Sequence, residues 1–208
     1  RKSWIVTRGE EIEELAWSPD GKGIMYLAEG LLWLVPAEGG DAKLLVSREM
    51  NAYVYGAAWS PKGKEIVAVA WEGRDGPNVL WVLDLERGTV KIIKDLPGVL
   101  EKPHWSPDGR RIVSQVYVGP PEERDEYWEK RYEVWSMDVA SGEAVKLSVG
   151  RSDDYSPAWS PDGSRIAFVS RAWGERWGKL WVMSSDGCVR NQLGTDELPV
   201  TSFCWSPD

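Results

Sequence analysis

Five stretches of this 208-residue chain open on the same words: "AWSPDG" from Ala16, "AWSPKG" from Ala58, "HWSPDG" from His104, "AWSPDG" from Ala158 and "CWSPD" from Cys204. The motif tryptophans are Trp17, Trp59, Trp105, Trp159 and Trp205, with spacings of 42, 46, 54 and 46 residues. A repeat of this length is one supersecondary unit that cannot bury its apolar faces alone, so successive copies must stack. The repeat therefore limits the chain to modular architectures before any other feature is weighed.

Within a copy the apolar pattern is that of strands. In the fourth copy "YSPAWS" is a strand, "SPDG" a turn and "SRIAFVS" a second strand. "KLWVMSS" and "CVRNQLG" follow as the third and fourth, separated by "DG". Ser-Pro-Asp-Gly suits a type I turn, because Pro presets φ, Asp tolerates the next position and Gly follows. "GIMYLAE", "LLWLVPA" and "AKLLVS" repeat the scheme in the first copy, as do "EIVAVAW", "VLWVLDL" and "TVKIIKD" in the second. Each copy is expected to be an up-and-down sheet of four strands. A second tryptophan recurs in the third strand, at Trp33, Trp81, Trp135 and Trp181, so nine of the 14 tryptophans follow the repeat. These nine are expected to pack between sheets, each indole N–H seeking a buried acceptor.

The run "WSPDG–x–x–I–x–x–x–S" followed by "LWVM–x–x–DG" resembles the propeller repeat of TolB-like proteins. The same repeat occurs in the propellers of prolyl oligopeptidase-family and acylaminoacyl-type peptidases and of tricorn-type proteases. Lys62, where the other copies carry Asp, is the main departure and weakens only one turn. The resemblance implies an all-β fold, a β-propeller with four complete four-stranded blades and partial blade strands at both ends. The blades run from motif to motif as 17–58, 59–104, 105–158 and 159–204, and the whole of 1–208 is one propeller domain or a fragment of one. Residues 1–16 and 205–208 belong partly to an incomplete blade, "SWIVTRG" as an outer strand and "PVTSFCWSPD" as an inner one. The ring is expected to be completed by residues missing from this chain or by another chain, the alternative being a four-bladed ring closed on itself.

Lys+Arg 25 against Asp+Glu 33 gives a net charge of −8, and no basic run is present, which argues against nucleic acid and anionic membranes as partners. No apolar stretch approaches the ~18 residues of a membrane helix, so membrane insertion is not expected, and "RKSWIVTRGE" has no signal-peptide h-region. Cys188 and Cys204 are read as free thiols. There is no G-x-S-x-G elbow, P-loop, EF-hand or dinucleotide fingerprint. His104, the sole histidine, is read as a packed or axis-lining residue, and two Cys with one His cannot form a zinc site. No catalytic residue, metal or cofactor is therefore expected. Asp20, Asp108 and Asp162 are read as turn residues capping backbone N–H groups, and Asp153–Asp154 as part of a solvated loop.

Function is expected in the loops joining second to third strands, which differ most between copies. They are short at Glu29–Gly30, then "WEGRDGPN", "GPPEERDEYWEKRYE" and "RAWGERWGK". Trp71, Arg74, Arg124, Tyr127, Trp128, Trp173, Arg176 and Trp177 lie in or beside them, and Trp, Tyr and Arg are the residue types that most often anchor interfaces. They are the candidate partner-binding residues, for a protein or peptide with a basic surface. The first functional expectation is a non-catalytic binding scaffold, as the TolB-like resemblance implies. The alternative is the substrate-gating propeller of a prolyl oligopeptidase-family peptidase whose catalytic domain lies outside this chain. The compartment follows the choice: periplasmic if TolB-like, cytoplasmic if peptidase-like.

Overall fold

The computed structural model describes residues 11–47, 50–73, 77–93, 98–119, 131–149, 152–172, 174–194, 200 and 202–206. Among these residues the regular structure is all strand, in four antiparallel sheets of four, and no helix is long and apolar enough to cross a membrane. The chain divides into two compact units, Arg1–Asp95 and Leu96–Asp208, each carrying two sheets. In the first unit, β1 (Ile12–Trp17), β2 (Gly23–Ala28), β3 (Leu31–Pro36) and β4 (Lys43–Val46) make one sheet. The other is β5 (Ala52–Trp59), β6 (Glu65–Glu72), β7 (Asn78–Asp84) and β8 (Thr89–Ile93). In the second unit, β9 (Val99–Trp105), β10 (Arg111–Tyr117), β11 (Tyr132–Asp138) and β12 (Ala144–Lys146) precede β13 (Ser152–Trp159), β14 (Arg165–Ala172), β15 (Lys179–Ser184) and β16 (Arg190–Leu193). The strands pair in sequence order within every sheet, as the repeat predicts for a propeller blade.

Burial explains the spelling of each strand. The second strands are covered on both faces, and β6 shows it most fully as a continuous run of β-branched and small residues, Ile66, Val67, Ala68, Val69 and Ala70, all buried. The fourth strands are short and mostly open to solvent, with Val46 of β4 and Ile93 of β8 as their buried apolar residues. In the first unit Met25, Leu27 and Leu32 pack against Val54, Ile66, Ala68, Val79 and Leu83 of the neighbouring sheet. Each fully buried Ile or Leu contributes about 1.5–3 kcal/mol. The second unit repeats the arrangement, with Val113 and Val134 against Trp159, Ile166, Phe168 and Met183.

The motif tryptophans link one copy to the preceding one. Trp59 Nε1 donates to Ala16 O at 3.2 Å, and Trp205 Nε1 donates to Ala158 O at 3.1 Å. In both, the acceptor is the residue just before the previous copy's tryptophan. Trp81 and Trp159 are buried, yet their indole N–H groups make no hydrogen bond. For Trp159, Arg111 stacks on the ring at 4.8 Å instead. Trp17 departs from the expectation of burial at 57% exposed. The expected inner strand of the fifth copy is not formed either: residues 202–206 are irregular, although Trp205 still docks on the fourth copy. The expected outer strand "SWIVTRG" lies outside the described residues.

The Ser-Pro-Asp-Gly turns act as caps. Ser160 Oγ donates to Asp162 Oδ1 at 2.6 Å, Ser164 N donates to the same oxygen at 3.0 Å, and Arg165 N donates to Ser160 Oγ at 3.0 Å. Gly163 takes φ +72°, which closes the turn through its N–H to Ser160 O at 2.9 Å. Ser18–Asp20 and Ser106–Asp108 repeat this geometry. "SSDG" at 184–187 does as well, with Cys188 N donating to Asp186 Oδ1 and Val189 N to Ser184 Oγ. In the second copy Ser60 still accepts Glu65 N and Gly63 N without any carboxylate, so Lys62 costs the turn one acceptor and no more.

Serine hydroxyls, then backbone N–H groups, hold the Asp20, Asp108, Asp162 and Asp186 carboxyls below their ordinary value of 3.8, Asp162 at about 2. These groups release protons more readily in the folded chain. Their contribution is present above about pH 4 and is lost as pH falls through the folded values, toward pH 2 for Asp162. Asp162→Asn is expected to lower the urea midpoint at pH 7 and to flatten the loss of stability between pH 4 and pH 2. Parallel titrations of the two proteins check this.

Candidate functional site

Two strand ends carry the aromatic residues that the loops were expected to present. In the Arg1–Asp95 unit, Trp71 stands near the end of β6 and pairs directly with Tyr53 of β5. Both side chains point away from the core because their strand neighbours Val54 and Ala70 are buried. Tyr53 is 52% and Trp71 41% exposed. Tyr55 meets the Trp71 ring edge-on, centroids 6.0 Å apart and planes at 87°, and Asn78 Nδ2 donates to the Tyr55 hydroxyl.

Beside this group runs a groove of about 370 Å³ lined by Glu29, Gly30, Leu31, Asn51, Ala52, Tyr53 and Gly73. Backbone bonds fix its walls: Val54 N donates to Gly30 O at 2.9 Å, and Gly73 N to Asn51 O at 2.6 Å. Gly30 is required here, since φ is +71° and a Cβ would sit 2.3 Å from the Tyr53 ring.

The second strand end is the connection from β14 to β15 in the Leu96–Asp208 unit. Arg176 lies over the Trp177 ring at 4.8 Å, and Trp177 is 54% exposed. Lys179 Nζ pairs with Glu175 at 2.8 Å. Gly178 presses the backbone so close to Val169 and the Tyr155 hydroxyl that a Cβ would collide with both. Of the eight predicted partner-binding residues, the structure places Trp71, Arg176 and Trp177. Arg74, Arg124, Tyr127, Trp128 and Trp173 lie outside the described residues.

At the start of β11 lies a polar network that the sequence did not suggest. Asp153 and Asp154 are buried on β13 rather than solvated in a loop. Asp153 accepts Tyr132 N at 2.7 Å and Arg171 at 2.9 Å. Burial raises its pKa, opposed by the Tyr132 N–H and the Arg171 charge. Asp154 accepts Ser170 Oγ at 2.5 Å and faces Arg190 at 3.6 Å. Glu101 accepts Gln115 Nε2 at 2.9 Å and the Tyr132 hydroxyl at 3.2 Å. Burial, then the Glu101 charge, pushes the Tyr132 phenol up to about 12, so it remains a donor. Glu133 gathers Arg131, Lys146 and the Trp135 indole N–H. Tyr132 opens β11, so its bonds to Asp153 and Glu101 hold that strand end in place.

Two sequence signals bear on these residues: "RSDDYS" continues without a break into a strand, and "YVY" lies near Trp71 across a hairpin. His104 accepts the Trp159 backbone N–H on Nδ1 at 3.4 Å. Desolvation lowers its pKa from the ordinary 6.5, which keeps the ring neutral for that role.

Comparison with known proteins supplies the context. A family model described as the TolB beta propeller domain matches residues 32–208. An uncharacterized protein of Agrobacterium fabrum is 30% identical over 190 residues, 90% of this chain and 60% of that protein. The Tol-Pal system protein TolB of Anaeromyxobacter dehalogenans is 31% identical over 179 residues, 85% of this chain and 38% of that protein. A shorter match, 32% over 109 residues, covers 51% of this chain and 15% of the uncharacterized peptidase YuxL of Bacillus subtilis. Among solved structures, a protein assigned as TolB from Agrobacterium tumefaciens superposes with a TM-score of 0.72 at 25% identity. That match covers 92% of this chain and 65% of the solved one. The chain thus spans less than two thirds of each of these relatives.

Proposed function

Because the chain belongs to the TolB beta propeller domain family, we propose that it is a binding scaffold that presents the ends of its second-to-third connections to a protein or peptide. The observation that carries this reading is the exposure of Trp71 and Trp177. Each is a large apolar ring left about half in solvent. Removing such rings from water on contact is favourable, and Trp, Tyr and Arg dominate interface energetics. The proposed surface also includes Arg74, Arg124, Tyr127, Trp128, Trp173 and Arg176. The net charge of −8 favours a partner with a basic face, mainly through the rate of encounter. The Anaeromyxobacter relative is a component of a Tol-Pal system by name, which supports a protein partner in general.

A photo-crosslinking amino acid placed at position 71 or 177, in cells that make the protein, tests the proposal. Discrete crosslinked proteins are expected from these positions and not from position 89 on the outer strand β8. Equal, diffuse labelling from all three positions would refute a dedicated surface. The match to YuxL favours a second reading, a propeller that restricts access to a peptidase domain. Hydrolysis of peptidyl-nitroanilides by the full-length protein, with no discrete crosslinks, would decide for it.

A further inference from the structure

We propose that a cleft between the first two copies binds an arginine side chain of a protein partner, at the strand ends opposite to Trp71. The inference goes beyond the scaffold reading and does not depend on it. The cleft, about 390 Å³, opens between the start of β2, the end of β3 and the second copy, with Gly23, Leu34, Trp59 and Leu85 among its walls. Trp59 packs on the core of the Arg1–Asp95 unit, and Ala16 O holds its indole N–H at 3.2 Å. Its ring is therefore set in position before any ligand arrives.

The chain itself shows what fits such a cleft. At the corresponding place in the Leu96–Asp208 unit, Arg111 reaches from the third copy to the fourth. Its guanidinium lies 4.8 Å from the centre of the Trp159 ring, and Nη1 donates to Ser185 O at 3.5 Å. Hydrogen bonding establishes the correspondence. Gly23 and Arg111 each donate N–H to a serine hydroxyl, of Ser18 or Ser106, and each accepts that serine's N–H on its carbonyl. Trp59 and Trp159 end β5 and β13, and Leu85 and Ser185 donate N–H to Lys64 O and Ser164 O. The first two copies thus keep the tryptophan and the residue that carries the accepting carbonyl, but glycine stands where the arginine would start. The third copy has Ser136 opposite Val113, where the first has Leu34 opposite Met25. A Cβ on Gly23 would lie 3.1 Å from the end of that leucine, so Gly23 and Leu34 together replace the internal arginine. The rim carries Asp20 and Asp41 against Lys22 and Lys43 and is neutral, which leaves selection to the ring and the carbonyl. A guanidinium is planar and weakly hydrated, and it can stack and donate at once, which a compact, strongly hydrated ammonium does less well.

The test titrates the nitrogen-15-labelled chain with N-acetyl-arginine methylamide and follows the Trp59 indole N–H signal, identified by its loss in Trp59→Phe. A saturable shift is expected. The citrulline compound, nearly the same shape without the charge, should bind about threefold to tenfold more weakly, with the lysine compound between the two. Gly23→Arg combined with Leu34→Ser rebuilds the third copy's pair in the first, and should abolish the shift by supplying the arginine from within. Gly23→Ala combined with Leu34→Ser makes the same cut without a guanidinium and should still bind. Trp71→Phe, at the other strand end, should leave the titration unchanged. Equal binding of the arginine and citrulline compounds, the absence of a saturable shift, or binding that survives Gly23→Arg with Leu34→Ser would overturn the proposal. None of these outcomes alters crosslinking from positions 71 and 177, so the scaffold reading stands or falls separately.

Discussion

Replacing Arg190 by methionine is expected to destabilise the Leu96–Asp208 unit by about 3–5 kcal/mol. The Asp154 side chain is 0% exposed, and its charge is balanced chiefly by Arg190, with Ser170 as its hydroxyl donor. Arg190 also donates to Leu147 O and covers the Phe168 ring at 5.4 Å. Methionine preserves most of the volume, so the loss isolates charge and hydrogen bonding from packing. An uncompensated buried carboxylate costs more than the pair contributes, because desolvation has already been incurred. The double variant Asp154→Asn with Arg190→Met should therefore lose less than the two single losses combined, a coupling that a double-mutant cycle reads from urea midpoints. A loss under about 1 kcal/mol in Arg190→Met would show that Asp154 does not depend on this partner.

Phe168→Ala is expected to cost about 3–5 kcal/mol. Phe168 is 0% exposed at the centre of β14 and packs with Val113, Val134, Ile166 and Met183, residues drawn from two sheets. Truncation removes the transfer energy of the ring and leaves a cavity that two hydrogen-bonded sheets cannot collapse to fill. It also withdraws the aromatic face under Arg190, so combining it with Arg190→Met should give less than an additive loss. Denaturant titration followed by circular dichroism measures both. A shift corresponding to less than about 1.5 kcal/mol would mean that the sheets close over the gap.

Both predictions concern the frame that holds the binding residues. Arg190 pairs with Asp154, and Asp153, the residue before it on β13, fixes Tyr132 N at the start of β11.

The five motif stretches alone fixed the number of sheets, their strand order and the identity of the turns. Each turn's closure depends on residues within six positions of one another, as with Ser160, Asp162, Gly163 and Arg165. Local chemistry of that kind is written into adjacent residues. The burial of Asp153 and Asp154 was not legible, because their partners Tyr132, Arg171 and Arg190 come from other strands.

The aromatic group at Tyr53 shows the division most directly. Counting back from the pair Trp59 and Ile66 without interruption would set Val54 opposite Trp71 and turn Tyr53 elsewhere. A bulge at Tyr55 shifts the register by one residue and brings Tyr53 into place. A tandem of four-stranded sheets with capped turns follows from short-range hydrogen bonding and period-two burial, both written in neighbouring residues. Which exposed rings stand together and which carboxylates are buried is set by strand pairing, because one unpaired residue in a strand redirects every side chain beyond it.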